Sequence, residues 1–164
     1  MGRKSIKENK NVYFSSRENL GLTREAASEV LGYVSADRIE KIENEKSSPH
    51  PDEVLAMASA YKNPALCNYY CSHECPIGKE YVPTVESKAI EKITLEMLNT
   101  LNTLEAEKNR LIEITVDGII TEDEAEDFNR IREHLSQMAT AIDSMNLWID
   151  DTIAKGRVEK KLFE

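Results

Sequence analysis

An all-α fold with a small N-terminal head and a long C-terminal hairpin is predicted by three features of this 164-residue chain. Between Leu22 and Pro49, two short segments with capping residues and apolar faces at helical spacing are separated by Gly32. Further on, two apolar stripes advance by threes and fours, the heptad pattern of long paired helices. Between those stripes a Gly turn precedes Thr121-x-x-Glu124, the signature of a capping box.

In the first segment Thr23 is a good N-cap. Ala26, Ala27, Val30 and Leu31 supply the apolar face, and Gly32 sits where a helix must stop and reverse. Ser35 caps the second segment. Ile39 and Ile42 fall on its buried side, leaving Ala36, Asp37, Arg38, Glu40 and Lys41 outward. A helix exposing its first turn in this way can enter the major groove of DNA.

These residues resemble the Xre/Cro repressor-type helix-turn-helix family over roughly residues 12 to 64. The resemblance rests on Arg17-Glu18 ahead of Gly21-Leu22-Thr23, on Ala27 and Gly32, on Ser35, and on Ile39, Ile42, Glu43 and Pro49. Asp52 to Ala58, followed by Ala60-Tyr61, is similar to the family's fourth helix. The fold implied is a compact five-helix, lambda-repressor-like domain in which Glu43 turns inward. Family members often begin both motif helices with Gln, which can pair with adenine; here those places hold Arg24 and Ala36. Glu45 stands where Gly commonly follows the reading helix, which is expected over residues 35–45. That helix is acidic, since Asp37, Glu40, Glu43 and Glu45 outnumber Arg38, Lys41 and Lys46. The DNA-binding set is Arg17, Thr23, Arg24, Ser35, Ala36, Asp37, Arg38 and Lys41, helped by an arm of Arg3, Lys4, Lys7 and Lys10.

Composition bounds the rest. An apolar share of 40% and a charged share of 31% suit a soluble globular protein of one or two small domains. No membrane span or signal-peptide core is visible, so a cytoplasmic protein is expected. The net charge of −9 is unevenly spread. Before Pro83 there are 11 Lys and Arg against 12 Asp and Glu, and after it 10 against 18. A C-terminal half this acidic would be repelled by phosphate, so it should serve another purpose than DNA contact.

In that half, Ile93, Met97, Leu101, Leu104, Lys108 and Leu111 mark a first helix. Phe128, Ile131, Leu135, Met138, Ile142, Met145 and Ile149 mark a second. Two antiparallel helices bury little core, so the hairpin is expected to complete itself against a second copy as a four-helix interface. The alternative is that the stripes pack on the chain's own head. Residues 113–124 also carry part of an EF-hand spacing. Glu113 and Thr115 occupy positions that need Asp or Asn, and a plain turn explains the segment equally well.

Cys67, Cys71, His73 and Cys75 form a candidate metal set, with zinc, an iron–sulfur centre or a redox-sensing thiol group as its uses. In one continuous helix Cys67 and Cys75 would stand about 12 Å apart, so a site requires the chain to fold back after Cys71. The alternative is three small residues wedged in a reduced interior. His50 and His134 are isolated, Trp148 reads as an apolar anchor, and no Gly-rich phosphate loop or nucleophile motif is present. The chain therefore reads as a non-enzymatic, sequence-specific DNA-binding regulator without a required cofactor. Its helix-turn-helix domain occupies residues 1–76, with an arm at 1–11 and the cysteine cluster at 67–75. A linker at 77–86 leads to an acidic hairpin at 87–164. Double-stranded DNA, a second copy and a protein at the acidic hairpin are the partners expected. A degenerate helix-turn-helix that binds protein, or a metal- or redox-responsive regulator, are the rival readings.

Overall fold

Local capping chemistry starts the first four helices of the head in the computed structural model, which describes residues 10–162. Asn11 caps α1 (Val12–Asn19) by accepting the Phe14 N–H at 2.9 Å. Thr23 caps α2 (Arg24–Leu31) and Ser35 caps α3 (Ala36–Glu43), each accepting an N–H at 3.2 Å. Pro51 opens α4 (Pro51–Ala60), where the Glu53 carboxylate accepts the His50 N–H at 2.7 Å. A fifth helix, α5 (Ala65–Tyr69), widens into a π turn at Tyr70–Glu74 before Cys75 breaks it. The helices then continue as α6 (Pro76–Tyr81), α7 (Ile90–Thr115) and α8 (Ala125–Ala154). The segment expected to be a linker thus contains a short helix.

Two compact units emerge. One comprises Met1–Thr84 with Asp150–Glu164, the other Val85–Ile149. Residues 150–162 therefore group with the head, although the hairpin is expected from the sequence to run over 87–164. Among the described residues no helix is long and apolar enough to cross a membrane.

The head's core joins Tyr13 of α1, Ala27 and Leu31 of α2, Ile39 and Ile42 of α3, Val54 and Met57 of α4, and Leu66 of α5. Val34, from the turn between α2 and α3, is buried with them. Gly32 takes a φ of 75°, a left-handed conformation that lets the chain reverse between α2 and α3. Val30 departs from the expected buried face and is 61% exposed, because the inward strip of α2 is only as wide as the Ala27–Leu31 pair.

Within the second unit, α7 and α8 are bridged by ion pairs: Arg110 to Asp127 at 2.7 Å, Arg130 to Glu107 at 3.1 Å, and His134 to Glu107 at 2.8 Å. Rising numbers on one helix meet falling numbers on the other, so the hairpin is antiparallel. Its buried positions include Ile93, Thr100, Ile114, Ile131, Ala141 and Ser144. Leu101, Leu135 and Ile142 of the expected stripes stay exposed. The seam has rotated by a fraction of a turn, bringing small and hydroxyl-bearing residues inward. At the connection, the Glu124 carboxylate accepts both the N–H and the hydroxyl of Thr121, as a capping box requires of its acid.

Candidate nucleic-acid interface

The α2–turn–α3 unit positions the first turn of α3 on the surface. Ile39 and Ile42 anchor one side of α3 in the core, so Asp37 and Lys41, on other sides, are exposed, while Ala36 is half-buried. The Ser35 hydroxyl accepts the Arg38 N–H and the Thr23 hydroxyl the Ala26 N–H, which leaves the Ser35 O–H free to donate at the same surface. Neither helix runs past its end. After α3, Asn44 leads into Glu45 at φ 58°, and the Lys46 N–H closes back on the Lys41 carbonyl at 2.8 Å. Glu45 thus adopts the left-handed turn itself, where Gly would meet no steric cost.

The arginines read as DNA contacts are engaged inside the protein. Arg17 is buried, and its guanidinium donates to both carboxylate oxygens of Glu43 and to the Leu22 carbonyl. Burial opposes the Arg17 charge, but the Glu43 carboxylate outweighs it and leaves the guanidinium pKa raised. Arg24 Nε donates to Glu43 as well, at 2.8 Å, from a position still partly open to solvent. Glu43, inward as the resemblance implied, therefore ties α3 to both α1 and α2.

Arg38 closes a second clamp. Its Nε and Nη2 each reach a Glu53 oxygen at 2.7 Å, Nη1 reaches the Ser47 hydroxyl at 2.6 Å, and Nη2 also reaches the Ser48 carbonyl at 2.9 Å. The Arg38 hydrogen bond holds the Glu53 pKa low despite burial, and Glu53 in turn raises that of Arg38. A bidentate carboxylate thus occupies the guanidinium fork of both Arg17 and Arg38. The partners Glu53 and Ser47 lie far from Arg38 in sequence, and no local pattern announces them.

Lys41, Lys46 and the open side of Arg24 remain as cations near α3. Glu40 lies between two of them, 4.0 Å from Arg24 and 3.9 Å from Lys46. Of the proposed arm, Lys10 pairs with Glu18 at 2.6 Å; Arg3, Lys4 and Lys7 lie outside the described residues.

Residues 15–65 match the family model described as helix-turn-helix. The head is a helix-turn-helix domain of the Xre/lambda-repressor type. Domains of this type belong to DNA-binding transcription regulators, which makes DNA the partner implied. No curated protein and no solved structure matches the chain.

At the far end of the helix-turn-helix domain, the cysteine segment is organised by packing. Cys75 Sγ accepts the Gly78 N–H at 3.5 Å and so caps α6. Gly78 fits directly on the Cys71 backbone, where an added Cβ would stand 2.1 Å from the carbonyl oxygen. The His73 ring stacks on Tyr69 with centroids 4.6 Å apart. Burial, followed by the neighbouring Cys71 and Asp150, pushes the Cys67 thiol pKa up, opposing thiolate formation. Among the described residues, no group of three or more His, Cys, Asp or Glu side chains is arranged to hold a metal, so Cys67, Cys71, His73 and Cys75 are not gathered into one site. The chain does fold back after Cys71, bringing Gly78 onto the Cys71 backbone, but no side chain of the π turn is buried.

Proposed function

We propose that the chain is a sequence-specific DNA-binding transcription regulator that places α3 in the major groove and acts as a dimer in the cytoplasm. The observation that carries this reading is the α2–turn–α3 unit, with both N-caps closed and the first turn of α3 uncovered. Ala36 and Asp37 then face base edges; Asp37 suits the amine of a cytosine, and Ala36 a thymine methyl. Lys41, Lys46 and Arg24 meet phosphates, as does the amide-rich N-terminus of α2 behind Thr23. The two arginine clamps hold α3 at a fixed angle instead of reading sequence.

Selection from random duplexes across a salt series tests the proposal. Enrichment of a two-fold symmetric site with a steep salt slope is expected. Lys41→Ala should reduce that slope by about one unit without changing the enriched sequence. A second reading draws on the Glu40 carboxylate lying between Arg24 and Lys46: a helix-turn-helix whose neutralised face binds protein. Absence of retained duplex even at low salt favours it and rejects the first reading.

A further inference from the structure

We infer that the hairpin carries a binding site for a linear polyamine in the groove between α7 and α8, independent of the DNA and dimer readings above. The groove measures about 420 Å³, and Glu96 and Thr100 of α7 and Glu133, Ser136, Gln137 and Thr140 of α8 are among the residues that line it. On each helix these positions recur at intervals of three and four, so each set forms one stripe toward the groove. The opening exists because the buried positions beside it are small. Thr100 is 7% and Ala141 5% exposed, where a pair of leucines would fill the space.

The lining selects a cation rich in hydrogen-bond donors. The Thr100 hydroxyl donates to the Glu96 carbonyl at 2.9 Å and the Thr140 hydroxyl to the Ser136 carbonyl at 3.0 Å, so both oxygens are left to the groove as acceptors. The Ser136 hydroxyl and the Asn99 and Gln137 amides can accept as well. A carboxylate stands toward either end. From the Arg110–Asp127, Arg130–Glu107 and His134–Glu107 pairs, Glu96 is level with the part of α8 near Asp143, about 15 Å along the axis from Glu133. Glu96 already holds a primary ammonium, since Lys88 Nζ lies 2.9 and 3.1 Å from its two oxygens. Glu133 is exposed, and among the described residues no ion pair engages it. Beyond that end Arg130 is engaged by Glu107 and Asp127, while Arg132 borders an adjoining depression and not the groove. Residues 85–149 carry 14 Asp and Glu against 6 Lys and Arg, a field that draws cations in and rejects phosphates. Two carboxylates so far apart cannot share one metal ion. A flexible chain with an ammonium at each end and an amine between reaches both, displaces Lys88 from Glu96, and lays its remaining N–H groups on the hydroxyl and amide oxygens.

Equilibrium dialysis of labelled spermidine against the full chain tests the site, at about 0.15 M salt, where exposed charges more than about 8 Å apart are screened. Saturable binding of one spermidine per chain is expected. Glu133→Gln should weaken it about 5-fold, and Lys88→Met, by removing the competing ammonium, should tighten it about 3-fold. Glu122→Gln deletes the same charge outside the groove and should change it by less than about 2-fold. Octamethylenediamine, long enough to approach both carboxylates, should bind more tightly than putrescine, which carries the same charge. This last comparison uses the native protein and decides the matter even where a substitution unfolds the hairpin. Absent or unsaturable binding, equal losses in Glu133→Gln and Glu122→Gln, weaker binding by Lys88→Met, or no preference for the longer diamine overturns the inference.

Discussion

The head and the hairpin use charge in opposite ways. In the head, Arg17–Glu43 is buried and Arg38–Glu53 nearly so, and each pair joins helices that already share a closed apolar core. In the hairpin, Arg110–Asp127 and Arg130–Glu107 lie at the surface, while leucines remain outside. Interior ion pairs fix angles in a unit that is complete alone. Surface pairs set the register of a unit that keeps Leu101, Leu135 and Ile142 at its surface.

The largest expected effect strikes the head. Glu43→Ala strands the Arg17 guanidinium in the core and removes the shared acceptor of Arg24, a loss of about 3–5 kcal/mol. A fall in the urea midpoint, with unchanged slope, checks it. The same deletion in the hairpin, Glu107→Ala, should move the midpoint far less, since Arg130 also pairs with Asp127 and is open to water. Equal losses would break the comparison.

Arg38→Ala comes next, at about 2 kcal/mol, for the hydrogen bonds made to a charged partner. Its pH dependence sharpens the assignment. Arg38 holds the Glu53 pKa below its unfolded value, so the clamp's contribution is full above the ordinary carboxylate range and is lost as pH falls through the lowered value. Between pH 6 and 3 the native protein should therefore lose more stability than Arg38→Ala, and the two midpoints should converge. Glu45→Gly acts in the other direction. Relieving a left-handed non-Gly residue at φ 58° should add about 1 kcal/mol, visible as a higher melting temperature.

Much of the head was legible because its signals are local. Thr23, Gly32 and Ser35 act within three or four residues of themselves, and Ile39 and Ile42 are buried as their spacing requires. The fate of Arg17 and Arg38 was not legible. An exposed arginine and a clamped one look identical in sequence, and Glu53 is fifteen residues from Arg38. In the hairpin the stripes located the helices but not the side of each that meets its neighbour. Leu101 and Thr100 differ by one residue, or roughly 100° of rotation, and the seam chose Thr100. The cysteines suggested a ligand set because composition ignores direction, whereas Cys75 spends its sulfur on a helix cap.

The smallest expected effect tests the hairpin's side of the comparison. Arg130→Gln removes contacts to Glu107 and Asp127, but His134 still meets Glu107 at 2.8 Å and Arg110 still meets Asp127 at 2.7 Å. The two acids hold lowered pKa values first through His134 and Arg110 respectively, with Arg130 a lesser hydrogen-bonding contributor to each. The melting temperature should therefore shift by no more than about 2 °C at low ionic strength, and the difference should vanish in high salt. A large, salt-resistant loss would mean that this cross-helix pair carries the hairpin as Glu43 carries the head.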